Sequence, residues 1–145
     1  MKLELLLLMV LASVAFTANA ADTCMAKAQT QEDMNACAGS ELVAADRELN
    51  TVYQQVMRMH AKDKNFIQKL RAAQRAWLVF RDAELAARYP DPNAMAAYGS
   101  VHVVCTAGLK SQLTRTRITQ LRMWLDGIAE GDICTGSLPI NGDPD

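Results

Sequence analysis

The chain is 145 residues long, carries 15 Lys and Arg against 16 Asp and Glu for a formal net charge of −1, and is half hydrophobic. That length supports one domain around a single core and is too short for two. With His60 and His102 isolated and no cysteine pair at the two-residue spacing of a redox or zinc site, no metal, cofactor or thiol-exchange chemistry is expected.

Residues 1–20 read as a secretory signal, with Lys2 near the start, an apolar stretch from Leu5 to Phe16 and the small-residue cleavage site Ala18-Asn19-Ala20. The apolar stretch is too short to span a bilayer as a mature helix, so no integral membrane segment is expected after cleavage. A lipid anchor on Cys24 is disfavoured because Ala21-Asp22-Thr23 places a charge just before it. The expected location is the bacterial periplasm or the secreted fraction. Cys24, Cys37, Cys105 and Cys134 all lie beyond the signal, and four cysteines in an oxidising compartment argue for two disulfides with three possible connectivities. The pairing expected here is Cys24 with Cys37 and Cys105 with Cys134.

A first helix is expected from Thr30-Gln31-Glu32-Asp33, a hydroxyl cap followed by carboxylates at the positive end of the helix dipole. Met34, Ala38, Leu42, Ala45, Leu49, Val52 and Val56 carry its apolar stripe to about Ala61. Asp63-Lys64-Asn65 breaks the pattern, and a second helix runs from about Asn65 to Tyr89-Pro90-Asp91-Pro92. So short a connection favours antiparallel packing. Phe66, Leu70, Trp77, Leu78 and Leu85 form the second stripe, with Trp77 and Phe80 expected in the core. The segment through Ala94, Tyr98, Gly99 and Ser100 reads as a loop or a short helical turn. Leu109, Leu113, Ile118, Leu121, Leu125 and Ile128 mark a third helix from about Thr106 to Ala129. Lys110, Arg115, Arg117 and Arg122 make its middle basic, and in an exported protein this is read as a solvated helix face with no nucleic-acid partner. The fold class is all-α: a small antiparallel bundle of about three amphipathic helices stapled by disulfides. Residues 21–129 form the helical domain, and 130–145 a flexible acidic tail tethered by Cys134.

Polar residues fall where a core should be. Gln74 and Arg81 lie inside the second stripe, Arg117 falls near the middle of the third, and Asp46, Asn50 and Tyr53 line the margin of the first. A buried guanidinium left unpaired costs several kcal/mol, so partners must converge on it. The expectation is a structural network of Asp46, Asn50, Tyr53, Gln74, Arg81, Asp82, Glu84 and Arg117 in which Arg81 and Arg117 each meet a carboxylate of another helix and fix the register.

These residues carry a family resemblance. Cys24, Thr30-Gln31-x-x-Met34-Asn35-x-Cys37-Ala38, Ala45-Asp46-x-x-Leu49-Asn50-x-x-Tyr53, Ala73-Gln74-Arg75-Ala76-Trp77-Leu78-x-Phe80-Arg81-Asp82-Ala83-Glu84 and Leu113-Thr114-x-x-Arg117-Ile118-x-x-Leu121 resemble the lysozyme-inhibitor LprI-like N-terminal domain family. The likeness runs to about Leu125 and implies a small, exported, disulfide-stapled helical protein. One departure is Leu85, where the family often has cysteine; Cys105 then matches the downstream family cysteine without its usual partner, and pairing with Cys134 accounts for both.

The resemblance is to a family named for a member that inhibits lysozyme, and the function expected here is that of an exported, non-enzymatic binding protein, with inhibition of a lysozyme or related muramidase as one reading. The second expectation is an envelope interaction or structural module with another partner. Asn93, Tyr98 and Ser100 on the loop after the second helix, and Arg115 and Arg122 on the basic helix, are the candidate partner contacts. An enzyme is disfavoured. Asp82 and Glu84 point to different sides of a helix, and no activated nucleophile, phosphate loop or metal spacing accompanies them.

Overall fold

The computed structural model describes the backbone of residues 20–141, with side chains from Thr23 onward. The expected signal segment, apart from Ala20, and the last four residues of the tail lie outside the described residues. Five helices follow in order: α1 (Ala20–Lys27), α2 (Gln31–Met59), α3 (Lys64–Arg88), α4 (Ala94–Tyr98) and α5 (His102–Asp126). Among the described residues there is no β-strand, only an isolated bridge between Ile128 and Ile140.

Local chemistry sets the boundaries. Thr30 caps α2 in a reciprocal box: its hydroxyl accepts from the Asp33 amide at 3.1 Å, and the Asp33 carboxylate accepts from the Thr30 amide at 3.0 Å. Asp63 caps α3 by accepting from the Phe66 amide at 2.9 Å. Asn93 caps α4 more loosely, at 3.4 Å from the Ala96 amide. Past α5, Gly127 adopts φ +75°, where a Cβ would lie 2.4 Å from the Asn141 side chain and 3.0 Å from the Pro139 carbonyl. Only glycine turns the chain there without strain.

The core lies at one end. Leu49, Val52 and Val56 of α2, Leu70 of α3 and Ile118 and Leu121 of α5 are buried together, with Tyr53, Met57, Phe66, Trp77, Trp124 and Leu125 packed around them. Toward the other end α2 and α5 meet through small residues: Ala38 and Ala45 on α2, Ser111 and Thr114 on α5, all buried. Cross-helix contacts give the directions. Glu41 meets Arg115 and Glu48 meets Arg122, so α2 and α5 run the same way. Arg81 meets Thr114 and Gln74 meets Arg117, so α3 runs against α5.

The structure corrects the sequence expectations in several places. Phe80 is 51% exposed and Leu78 is also on the surface, because α3 turns only the Phe66–Leu70–Trp77–Arg81 side inward. A single disulfide, Cys24–Cys37 with a Cα separation of 5.7 Å, ties α1 to α2. Cys105 and Cys134 are free and exposed, so the second expected staple is absent. Cys105 sits in the first turn of α5, whereas the tail doubles back on the far end of that helix, roughly 30 Å away at 1.5 Å per residue. The tail is held by other means. The Ile128 amide donates to the Pro139 carbonyl at 2.9 Å, the Asn141 amide to Ile128 at 2.8 Å, and Trp124 Nε1 to Ser137 Oγ at 3.0 Å. No helix of the described residues is long and apolar enough to cross a membrane.

Candidate functional site

At the middle of the molecule three helices meet through one guanidinium. Arg81 Nη1 on α3 donates to Asp46 Oδ1 on α2 at 2.8 Å and to Thr114 Oγ1 on α5 at 2.9 Å, while its guanidinium lies 5.1 Å from the centre of the Trp77 ring. The Thr114 hydroxyl lies 3.5 Å from the same Asp46 oxygen, which closes the triangle. Arg81 is well buried, with 12% of its side chain exposed, against 42% for Asp46. Water therefore reaches one partner of this pair and screens it.

Arg117 behaves differently from expectation. Its partners are amides: Nε donates to Gln74 Oε1 at 3.1 Å and Nη1 to Gln120 Oε1 at 3.1 Å. The groups facing it from α3 and along its own helix are glutamines, so no carboxylate reaches it. Nη2 is buried without a hydrogen-bond partner, and burial lowers the guanidinium below its ordinary pKa. Asp82 turns outward to Lys110 at 3.5 Å, with only a 4.0 Å approach to Arg81 Nε. Glu84 is exposed and has no ion pair among the described residues, which takes it out of the expected network.

Beside this triangle a groove of about 500 Å³ opens between α2 and α3. Asp46, Asn50, Tyr53, Gln74 and Arg81 all line it, and Arg71 and Arg75 stand on its α3 rim. Arg71 and Arg75 also border a second hollow with Lys64 and Gln68, and Asn50 and Gln54 continue onto the outer face of α2 with Arg47 and Arg58. The result is a surface of mixed character, with Leu49, Leu78, Ile67 and Val43 among its lining residues and with Arg47, Arg58, Arg71 and Arg75 free of ion pairs among the described residues. Its one carboxylate, Asp46, is already engaged by Arg81. Such a surface offers cations, carboxamides and a phenol to an acidic partner. No group of three metal-ligating side chains occurs among the described residues.

The five partner contacts expected from the sequence occupy other places. Arg115 pairs with Glu41 and lies 3.7 Å from Glu48, which also receives Arg122 at 2.9 Å. Those cations are neutralised within the molecule, along the α2–α5 seam. Tyr98 packs edge-on against Tyr89, stacks on His102 and accepts from the Asp91 amide at 3.1 Å; Asn93 caps α4; Ser100 Oγ donates to Gln31 Oε1 at 3.4 Å. These groups fold the loop onto the start of α5. The unpaired cations were not singled out from the sequence. Their signal is present as spacing: Arg71 and Arg75 are one turn apart, as are Asn50 and Gln54, each beside an apolar stripe.

A sequence profile described as Lysozyme inhibitor LprI matches residues 24–121, which includes the disulfide, the arginine triangle and both helices that form the groove. An uncharacterized protein of Rhizobium meliloti (strain 1021) is 36% identical over 109 residues, covering 66% of this chain and 74% of that protein. No solved structure gives a significant match.

Proposed function

We propose, because this chain belongs to the lysozyme inhibitor LprI family, that it is an exported, non-enzymatic protein that blocks a lysozyme or a related muramidase in the bacterial cell envelope. The carrying observation is the family match over residues 24–121. The reading places the contact on the surface around the α2–α3 groove. A muramidase works with two carboxyl groups flanking the scissile bond, one held protonated and one ionised. A proteinaceous blocker therefore gains from cations and hydrogen-bond donors that are not already spent. Arg71 and Arg58, with Asn50, Gln54 and Tyr53 between them, supply these, whereas Arg115 and Arg122 are neutralised by Glu41 and Glu48. Export is supported by the Lys2 to Ala20 pattern and by the Cys24–Cys37 bridge, which suits an oxidising compartment.

The test is a titration of the oxidised protein, lacking residues 1–20, against a chicken-type lysozyme, following bacterial-wall lysis and calorimetric heat together. Saturable loss of lysis near equal stoichiometry, with Arg71→Glu and Arg58→Glu each weakening it at least tenfold and Arg115→Gln leaving it intact, is the expected result. Inhibition that ignores Arg71→Glu and Arg58→Glu moves the contact elsewhere. Full lysis with no heat at micromolar concentration rejects inhibition and leaves an envelope adaptor with a different partner.

A further inference from the structure

The side of α3 opposite the core is exposed and apolar. Ala72, Ala76, Val79, Ala83 and Ala86 recur along it at alternating steps of four and three, and every one is exposed. Val79 is 70% exposed, and Phe80 lies beside the row. That alternation is the seam spacing of two helices packed side by side, and among the described residues no helix lies on it. The alanines alone would be ordinary on a helix surface; it is Val79 and Phe80, both largely exposed at the centre of the row, that make this face a candidate for a partner.

The flanking residues say which partner. In this seam Arg75 and Asp82 occupy the same flank, seven residues apart. Arg75 has no acidic partner among the described residues, and Asp82 keeps 65% of its side chain exposed despite its contact with Lys110. When two copies of such a helix run antiparallel about Val79, Ala72 falls opposite the partner's Ala86 and Ala76 opposite the partner's Ala83. Arg75 then falls opposite the partner's Asp82, and the symmetry repeats that pair. Phe80 meets the partner's Phe80 on the other flank. The seam is therefore complementary to itself in register and in charge, whereas a parallel pairing sets the Arg75–Asp82 flank against the partner's Phe80 flank and leaves those charges without an opposite partner.

We propose that the exposed face of α3 is a homodimer interface in which two copies pack antiparallel about Val79, with reciprocal Arg75–Asp82 pairs. The alanines let the two helices approach at the short end of the usual 8–10 Å range. From Ala72 to Ala86 the seam is about 21 Å long, at the small end of specific interfaces, so the dimer forms at micromolar or higher concentration.

Sedimentation equilibrium of the oxidised protein lacking residues 1–20, from about 5 to 500 µM, tests this, with charge swaps as the specific arm. The wild type shifts from one to two chains across that range, and Val79→Glu keeps it single. Arg75→Asp and Asp82→Arg each weaken self-association at least tenfold, because each sets like charges face to face at both pairs. Mixed together, the two variants dimerise with each other, since every Asp then faces an Arg, and no folding defect produces that recovery. A wild type that stays single to 500 µM overturns the proposal, as does a dimer indifferent to Val79→Glu or a mixture that fails to recover. A single-chain wild type whose lysozyme binding is lost in Val79→Glu gives this face to the target instead.

Discussion

Among the described residues, replacing Asp46 by alanine removes the only carboxylate that Arg81 contacts across helices, and the structure bounds the cost. A fully buried pair broken on one side loses about 3–5 kcal/mol, because the remaining charge is stranded. Asp46 is 42% exposed, so water screens its side of the pair, while Arg81 at 12% keeps Thr114 Oγ1 at 2.9 Å and the Trp77 ring. Its Nε already lacks a hydrogen-bond partner, and Asp82 lies 4.0 Å from that nitrogen, too distant to substitute fully. The expected loss is about 2 kcal/mol. Arg81→Met, which removes the charge and fills the space with thioether, is expected to fall within about 1 kcal/mol of wild type. In the double variant the two changes then fail to add by at least about 1 kcal/mol, because methionine has no need of Asp46. Urea unfolding followed by circular dichroism at constant m-value measures all three. A loss below about 0.5 kcal/mol for Asp46→Ala, or strict additivity in the double variant, refutes the claim that this pair couples α2 to α3.

Thiol titration of the native, oxidised protein should give two reactive groups, Cys105 and Cys134, and four only after reduction in denaturant; zero would show that those two pair with each other. Thr30 and the backbone amides of Gln29 and Thr30 hold the Asp33 carboxyl below its usual range by bonding its ionised form. Its stabilising effect is therefore complete above the unfolded carboxylate pKa, near 4, and is lost as pH falls through the lowered folded value. Urea midpoints measured from pH 6 downward should show Asp33→Asn weaker than wild type at pH 6 and the gap closing on acidification; a gap independent of pH sinks this account. Gly127→Ala should loosen the tail, at a cost of about 1–2 kcal/mol, since its φ of +75° and the nearby Pro139 carbonyl both reject a Cβ. Trp124 fluorescence reports it through the Ser137 contact, and an unchanged spectrum with unchanged stability contradicts the assignment.

Local rules made the long helices legible. Thr30 and Asp63 are capping residues, and the apolar spacing that follows each one predicts helices close to the observed α2 and α3. The short α1 was missed, because eight residues next to a signal-like segment carry little periodicity. Arg81 was readable as an inward cation, since a charge inside an apolar stripe forces a partner, and Asp46 on another helix supplies it. Arg117 occupies the same kind of position and was expected to meet a carboxylate as well. Nothing in its own sequence neighbourhood says that Gln74 would lie opposite it. The Cys105–Cys134 expectation failed for the related reason that spacing along a chain says nothing about which end of a helix the tail returns to.

The division follows from the range of the forces. Caps, periodicity and the sign of a buried charge act within one or two turns, and the sequence by itself determined the presence of three long helices, the family and the inward position of Arg81; the third helix runs His102–Asp126 where Thr106 to Ala129 was expected, and Ile128 lies in an isolated bridge beyond it. Which cations remain unpaired depends on helices meeting across dozens of residues. Only the tertiary structure decided that Glu41 and Glu48 consume Arg115 and Arg122 while Arg71 and Arg75 stay available, and that Phe80 faces outward on a helix whose opposite side is already filled by the core.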